Sequence, residues 1–237
     1  MYKHVSVLNE EAVDLLDIKP NGIYVDATLG GCGHTKRILS KLTTGKLICF
    51  DQDITAINNA KIELSNFDNV VLIHDNFKNV GMHLDMMEIP KIDGILFDLG
   101  VSSMQIDKEE RGFSYSKDGP LDMRMNQDAM LNAEIIINEY QVNQLITIFD
   151  KYGEEKFSKK IAFLLDKKRK EKRITTTKEL NEIIFEAIPT KAFYQSNSHP
   201  SIRVFQALRI EVNKELEVFE DTFQCLLKYL QKLQVLY

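Results

Sequence analysis

The sequence lacks any apolar run near the roughly 18–20 residues that a membrane-spanning helix needs. A signal peptide is not indicated either, because Glu10, Glu11 and Asp14 fall where its apolar core would lie. The three cysteines are odd in number, lie far apart and do not have the spacing of metal ligands. We therefore expect a cytoplasmic protein in a reducing environment that neither holds a metal ion nor binds membranes.

An excess of positive charge is lacking in the chain as a whole, which has 30 basic and 35 acidic residues and a formal net charge of −5 at pH 7. This balance argues mildly against binding to nucleic acid, because contact with phosphates needs positive charge. The stretch from Lys156 to Arg173 is the exception: nine basic and two acidic residues give it a local charge of +7, and the rest of the chain carries −12. Two interpretations stay open, a surface that contacts RNA phosphates and an ordinary solvated helix face.

Short β-rich runs alternate with helix-like patterns up to Asp98. The four runs are continuously apolar rather than alternating, as in strands covered by helices on both faces. The β-α-β-α order predicts an α/β fold with a doubly wound, Rossmann-like parallel sheet. The predicted strands are Tyr24–Thr28, Lys46–Asp51, Val70–His74 and Asp93–Asp98.

Residues 105–200 contain helix patterns but no convincing strand. We predict helices over residues 129–138, 142–152, 154–172 and 178–188, the last one started by a capping box of Thr176 and Glu179. We interpret residues 105–200 as a helical domain inserted into a sheet domain that comprises residues 1–104 and 201–237. In the second part of the sheet domain, a long helix is predicted over 201–233, and Leu233–Tyr237 fits the start of a fifth strand.

A glycine cluster follows the first predicted strand, in the run from Asp26 to His34. Open α/β sheets bind ligands at this edge, where the carboxyl ends of the strands meet. No Lys-Ser/Thr pair follows the glycines, so a Walker phosphate loop is excluded, and the third glycine of a dinucleotide fingerprint is absent. A plain tight turn remains an alternative to a cofactor loop.

Three further polar groups end predicted strands. Asp51 is placed to accept hydrogen bonds from both ribose hydroxyls of an adenosine, whereas Asp53 fits a helix N-cap. Asp75-Asn76-Phe77 fits either an adenine contact or a loop with one anchoring Phe, and both interpretations stay open. Asp98–Ser103 occupies the position where amino-group methyltransferases carry a short polar motif that faces the sulfonium of S-adenosylmethionine (SAM). Together these features favour SAM over a nicotinamide cofactor.

Seven motifs then occur in a recognisable order, and with them the chain from His4 to about Leu216 resembles the RsmH (MraW) family of bacterial small-subunit rRNA cytosine-N4 methyltransferases. The motifs are Asp26–Gly30, Asp51–Asp53, Asp98–Ser103, Arg111–Tyr115, Asp118–Met125, Tyr152–Lys156 and Phe205–Ile210. The resemblance implies a SAM-binding domain interrupted by a helical, substrate-recognising domain. It also implies N4-methylation of a cytosine in the decoding region of the small-subunit (16S) rRNA, with the 30S particle as the expected partner.

The resemblance further implies a set of cofactor contacts. Cys32 stands where the family usually has a glycine, so its side chain is expected to lie against the cofactor, and Ser6 replaces a usual proline. The implied SAM contacts are Cys32, Gly33, His34, Asp51, Phe77, Asp98 and Gln105.

For the chemistry, we expect Asp98 to hold N4–H or accept its proton, with the carbonyls of Leu99 and Gly100 assisting. The alternative is that Asp98 only orients the cofactor. The target base must leave its stack to be reached, and Arg124 serves equally well as a salt-bridge partner of Asp122. Candidates for stacking and phosphate contact are Arg111, Phe113, Tyr115 and Arg124.

The C-terminal end departs from the family pattern. After the long helix, the family continues through a glycine pair, a strand and a Phe-His-Ser-Leu-Glu-Asp-Arg segment, none of which precedes Tyr237. The expectation is therefore a truncated sheet whose last strands are missing. Two alternative functions follow: a non-catalytic remnant that binds SAM and RNA, and, less favoured because of the missing glycine, a nicotinamide-dependent oxidoreductase.

Overall fold

The computed structural model describes residues 9–189, 199–230 and 235–236. The chain divides into two compact units. The first, the sheet unit, runs to Ser103 and resumes at Leu216; the second, the helical unit, is Met104–Glu215. Ser6, which replaces a proline usual in the family, lies outside the described residues. No helix among the described residues is long and apolar enough to cross a membrane.

A parallel sheet forms the centre of the first unit, with the strand order β3-β2-β1-β4-β5. This arrangement confirms the predicted α/β fold class. β5 pairs with Ile95 and Leu96 of β4, and the other residues of the predicted fifth strand lie outside the described part of the chain. The strands are β1 (Ile23–Asp26), β2 (Lys46–Asp51), β3 (Val70–His74), β4 (Gly94–Leu96) and β5 (Val235–Leu236).

Apolar residues on the two faces of the sheet belong to two separate cores. Leu47 and Cys49 of β2 pack into one cluster, whereas Ile48 and Phe50 pack into the other. This division explains why the strands are continuously apolar, since successive side chains point to opposite faces and both faces are covered. The unit's helices are α1 (Asn9–Leu15), α2 (Gly33–Lys41), α3 (Ile54–Glu63) and α4 (Val80–Met86), with α11 (Glu215–Leu226) beginning at its boundary.

Helices make up the regular structure of the second unit. The predicted capping box is confirmed: the Glu179 N–H donates to Thr176 Oγ1, and the Thr176 N–H donates to the Glu179 carboxylate. The helices are α5 (Ser103–Asp107), which begins at the boundary, α6 (Ala133–Glu139), α7 (Val142–Gly153), α8 (Ser158–Glu171), α9 (Thr177–Ala187) and α10 (Pro200–Asn213).

The second boundary lies later than the sequence suggested. The predicted return to the sheet domain at residue 201 falls inside α10, which packs against α6, α7 and α9 of the helical unit. The single helix predicted over 201–233 is two helices, because Lys214 adopts a left-handed backbone with φ 52° that ends α10. The apolar face of α10 therefore completes the core of the helical unit, and the sheet unit resumes at Leu216.

Candidate functional site

The turn after β1 is braced by a buried carboxylate. Asp26 accepts a hydrogen bond of 2.6 Å from Thr35 Oγ1 and one of 3.1 Å from the Thr28 N–H. Burial raises the pKa of Asp26 above its usual value, and these hydrogen bonds oppose that rise. Asp26 therefore joins the end of β1 to the first turn of α2.

Asp51, at the end of β2, holds the glycine turn in place. Its Oδ2 accepts from the Gly30 N–H at 2.9 Å and its Oδ1 accepts from the Asp53 N–H at 2.8 Å. Burial raises the pKa of Asp51 to about 6. Each carboxylate oxygen has a second lone pair, so the group is still able to accept hydrogen bonds from a ligand. The predicted N-cap at Asp53 is confirmed, since its side chain accepts from the Thr55 N–H.

The top of the turn is open. Gly30 has a φ of +48°, which favours glycine, and a Cβ added at Gly31 would meet no atom within 4 Å. The backbone of Gly31 is therefore accessible to a ligand that approaches the edge of the sheet.

Cys32 does not place its side chain as expected. The residue is 0% exposed and belongs to the apolar core on the α2 side of the sheet. Its φ of 64° lies in the left-handed region, and burial raises the pKa of its thiol to about 11. The expectation of a thiol against the cofactor is corrected here, because the core packing takes the side chain away from the accessible surface. Gly33, the next residue, begins α2 and is half-buried.

His34, in the first turn of α2, and Asp98, which follows β4, lie next to each other. The Asp98 N–H donates to Thr28 Oγ1 at 2.7 Å, which anchors the backbone and leaves the Asp98 side chain 54% exposed. His34 is buried, and its Nδ1 lies 3.6 Å from Asp98 Oδ2. Its Nε2 is also buried and has no hydrogen-bond partner among the described residues. The sequence did not point to Thr28 as the residue that positions Asp98.

The loop after β3 is held by Asp75. Its carboxylate accepts hydrogen bonds from Asn79, from His83 at 2.8 Å and from the Asn76 N–H. Burial alone would raise the pKa of Asp75, but these hydrogen bonds lower it below its usual value. Asp75 thus contributes to loop structure. Phe77 is half-buried and packs edge-to-face on Phe97 with ring centroids 5.4 Å apart, as expected of an anchoring residue.

The candidate residues of the helical unit are packed into its interior to different degrees. Gln105 is buried in α5, and Phe113 is also buried. The Arg111 guanidinium is buried and donates to the carbonyls of Arg124 and Met125 at 2.8 and 3.2 Å. Arg111 therefore links the start and the end of the segment 111–125, which contains the candidates Phe113, Tyr115 and Arg124.

Arg124 and Tyr115 have partners within the same unit. Arg124 forms a two-pronged ion pair with Asp122, with nitrogen–oxygen distances of 2.7 and 2.8 Å, which matches the salt-bridge alternative. The ring of Tyr115 stacks on His199 with centroids 4.3 Å apart. Asn213, which sequence reasoning missed, accepts from the Met125 N–H and donates to the carbonyl of Met123. No local pattern signals a contact between residues so far apart.

Residues 1–236 match the MraW methylase family. The chain belongs to this family of methyltransferases. Relatives that are similar in sequence to most of this chain include two proteins called "Ribosomal RNA small subunit methyltransferase H". The protein from Clostridium botulinum (strain Loch Maree / Type A3) is 53% identical over 94% of this chain and 72% of its own. The protein from Streptococcus mutans is 54% identical over 93% of this chain and 71% of its own.

A solved structure, an rRNA methylase from Streptococcus thermophilus, is 27% identical over 41% of this chain and 51% of its own. Its TM-score of 0.31 is too low to support a structural argument. Membership in the methylase family therefore rests on the sequence match. The predicted family resemblance is confirmed by that match.

Proposed function

We propose that this methylase transfers a methyl group from SAM to the exocyclic N4 of a cytosine in the decoding region of small-subunit rRNA. The family match and the names of the relatives support an rRNA methyltransferase. The observation that carries the chemistry is the Asp98 carboxylate, which is exposed at the end of β4 and anchored through Thr28.

The residues of the sheet edge fit SAM. Asp51 offers a carboxylate for ribose hydroxyls, and the open backbone at Gly31 leaves room for the cofactor to approach. His34 lies beside Asp98 at this edge, with its Nδ1 3.6 Å from Asp98 Oδ2. Carboxylates at the strand ends suit a cationic sulfonium. When bound, SAM supplies an electrophilic methyl group.

The chain's own contribution to the reaction is to hold N4 and remove its proton. Cytosine N4 is a poor nucleophile, because its lone pair is delocalised into the ring. A carboxylate that accepts a hydrogen bond from N4–H favours the reactive electron distribution and takes the proton as the new bond forms. Asp98 is the proposed acceptor. Thr28 fixes its backbone, and His34 Nδ1 lies 3.6 Å from its Oδ2.

Recognition of the RNA is assigned, in this proposal, to the helical unit. Tyr115 is only half-buried, and because His199 stacks on one face of its ring, we assign the contact with a base to its other side. Arg111 and Arg124 would act by holding the loop in shape, because their guanidinium groups already bind backbone carbonyls and Asp122.

The test is methyl transfer from labelled SAM to small-subunit particles that lack the modification, with the product nucleoside identified by mass spectrometry. We expect N4-methylcytidine from the wild-type protein. In Asp98→Asn we expect kcat to fall about 100- to 10,000-fold, the range for loss of a general base. Glu63→Gln, a surface carboxylate paired with Lys36, is the matched control and should leave turnover unchanged.

SAM affinity, measured by calorimetry on the same variants, separates the alternatives. If Asp98→Asn weakens SAM binding while kcat is retained, Asp98 only orients the cofactor. Wild-type protein that binds SAM but transfers no methyl group to any form of the rRNA would contradict the proposal and favour a non-catalytic SAM- and RNA-binding protein.

A further inference from the structure

The basic stretch from Lys156 to Arg173 divides into two sets of residues once its partners are known. Most cations in its C-terminal half are neutralised within the unit. Arg169 and Lys170 pair with Asp166, Lys168 pairs with Glu186 at 2.9 Å, and Lys172 and Arg173 also pair with acidic residues. These residues crosslink α8 to its neighbours, so they are poor candidates for binding an external partner.

Lysines on the outward side of α8 differ from this set. Lys159, Lys160 and Lys167 are exposed, and no carboxylate among the described residues lies within ion-pairing distance of any of them. The Nζ of Lys160 lies over the ring of Phe157, 5.7 Å from the ring centroid. Three positive charges therefore remain uncompensated on one helix of a chain whose net charge is −5.

An exposed aromatic ring lies among these lysines. The buried side of α8 is formed by Ile161, Ala162 and Leu165, and Phe163 points away from it with 62% of its surface exposed. Residues three and four apart on a helix are neighbours on its surface, so Lys159, Lys160 and Lys167 surround Phe163. We call Lys159, Lys160, Phe163 and Lys167 the lysine–phenylalanine face.

Exposing a phenylalanine on a helix that already has a complete apolar side costs hydration free energy and does not stabilise the core. Aromatic rings with flanking cations are the combination that binds single-stranded nucleic acid, because bases stack on the ring and phosphates contact the cations. An acidic protein would use the lysines but would not require a flat ring at their centre.

We propose that the lysine–phenylalanine face binds a single-stranded segment of the substrate RNA, with an unpaired base stacked on Phe163 and neighbouring phosphates held by Lys159, Lys160 and Lys167. The inference rests on the proposed rRNA substrate. It goes further in assigning RNA contact to one side of α8 and in predicting that the paired cations of the same stretch do not contact the RNA.

The chain offers a matched pair of variants. K159A/K160A/K167A removes three unpaired charges, and K168A/K170A/K172A removes three paired charges from the same stretch, so the net charge changes equally. The probe is a short fluorescent single-stranded RNA, titrated at several salt concentrations. We expect the first variant to lower the slope of log Kd against log salt by about 0.7 for each lost phosphate contact, and the second to leave it near the wild-type value.

Phe163 tests the stacking contact separately. Phe163→Leu keeps an apolar side chain but removes the ring, and we expect affinity to fall about fivefold or more, the effect of losing one stacked base. Phe163→Tyr keeps the ring and should bind like the wild type. Circular dichroism melting curves check that the variants are folded, which the exposure of the substituted residues favours.

Two results would overturn the inference: equal salt slopes for the two triple variants, or stronger competition by polyglutamate than by unlabelled single-stranded RNA, which would indicate an acidic protein partner. The binding assay needs no methyl transfer. If the wild-type protein methylates rRNA but the variants of the lysine–phenylalanine face bind RNA normally, the proposed function stands and this face has no part in RNA binding. RNA binding without methylation would contradict the proposed function alone.

Discussion

In the sheet unit Asp26 and Asp51, at the strand ends, are held by neutral donors, whereas in the helical unit Asp122, Asp166 and Glu215 are held by cations. Asp26 and Asp51 accept hydrogen bonds from backbone N–H groups and a hydroxyl. In the helical unit, basic side chains pair with Asp122, Asp166 and Glu215. When it is ionised, a carboxylate bound by neutral donors has no cation that offsets its charge, so it is able to attract a cationic ligand, whereas an ion pair is already neutralised and serves stability.

The largest effect expected from this difference concerns the ion pair of Arg209 and Glu215. Glu215 is buried, burial raises its pKa, and Arg209 opposes that rise through two contacts of 2.8 and 3.1 Å. Arg209→Met would leave a buried charge without a partner and lower the free energy of unfolding by about 3 kcal/mol at pH 7. Urea unfolding at pH 7 measures this loss.

The sign of the pH dependence follows from the raised pKa. Without Arg209, the pKa of Glu215 rises further, so stability is retained at low pH, where the folded carboxyl is protonated, and is lost as pH rises through the folded pKa. The deficit of Arg209→Met should therefore shrink towards pH 5. The control is Lys36→Met, which breaks an exposed pair with Glu63 and should cost no more than about 1 kcal/mol. Equal losses of unfolding free energy in the two variants would contradict the role in stability that is assigned to the buried pair.

The second prediction tests the strand-end carboxylate of Asp51. With its pKa at about 6, Asp51 is mostly ionised at pH 7 and mostly protonated at pH 5. Ribose hydroxyls donate more strongly to the ionised form, so SAM affinity should fall about tenfold between these two pH values, in proportion to the ionised fraction. Calorimetric titration with SAM at each pH provides the measurement.

A matched variant shows whether Asp51 is the group that titrates. Asp51→Asn keeps the shape of the side chain but has no charge to lose, so its weaker SAM binding should be flat over the same pH range. A parallel decline in wild type and variant would assign the pH dependence to another group and remove Asp51 from the ribose contact.

Features that depend on neighbouring residues could be predicted from the sequence. β2 was predicted at Lys46–Asp51 because Leu47 and Phe50 belong to an unbroken apolar run, and the start of α9 was predicted because Thr176 and Glu179 are three residues apart. In both cases, a few adjacent side chains determine the local backbone.

Features that depend on distant residues could not. Nothing near Met125 in the sequence indicates that its N–H is bound by Asn213, and nothing near Asp98 indicates that Thr28 anchors it. The end of α10 at Lys214 was missed for a related reason, since the helix pattern continues there and the left-handed backbone of Lys214 is not signalled by the residues around it. The bounds of β2 and β3 were therefore predictable, whereas β1 and β4 end two residues earlier than predicted, at Asp26 and Leu96, and the donors that orient each carboxylate could not be predicted.

The smallest effect concerns Cys32, whose side chain packs into the apolar core beneath the glycine turn. A left-handed backbone at φ 64° is unfavourable for any residue with a Cβ by about 1 kcal/mol, but the buried thiol fills core space. Cys32→Ala keeps the strain and loses the sulfur contacts, so its free energy of unfolding should fall by about 1–2 kcal/mol. Cys32→Gly loses slightly more packing but relieves the strain, so it should be at least as stable as Cys32→Ala. At Cys49, equally buried but in β2, the order should reverse, because glycine in a strand is less stable than alanine. Chemical denaturation of the four variants measures both orders.

SAM affinity should stay within about twofold in Cys32→Ala, since each twofold change corresponds to only about 0.4 kcal/mol of lost contact. A larger loss of affinity would mean that the Cys32 side chain faces the ligand after all, and the same order of stability at both cysteines would contradict the argument from backbone strain.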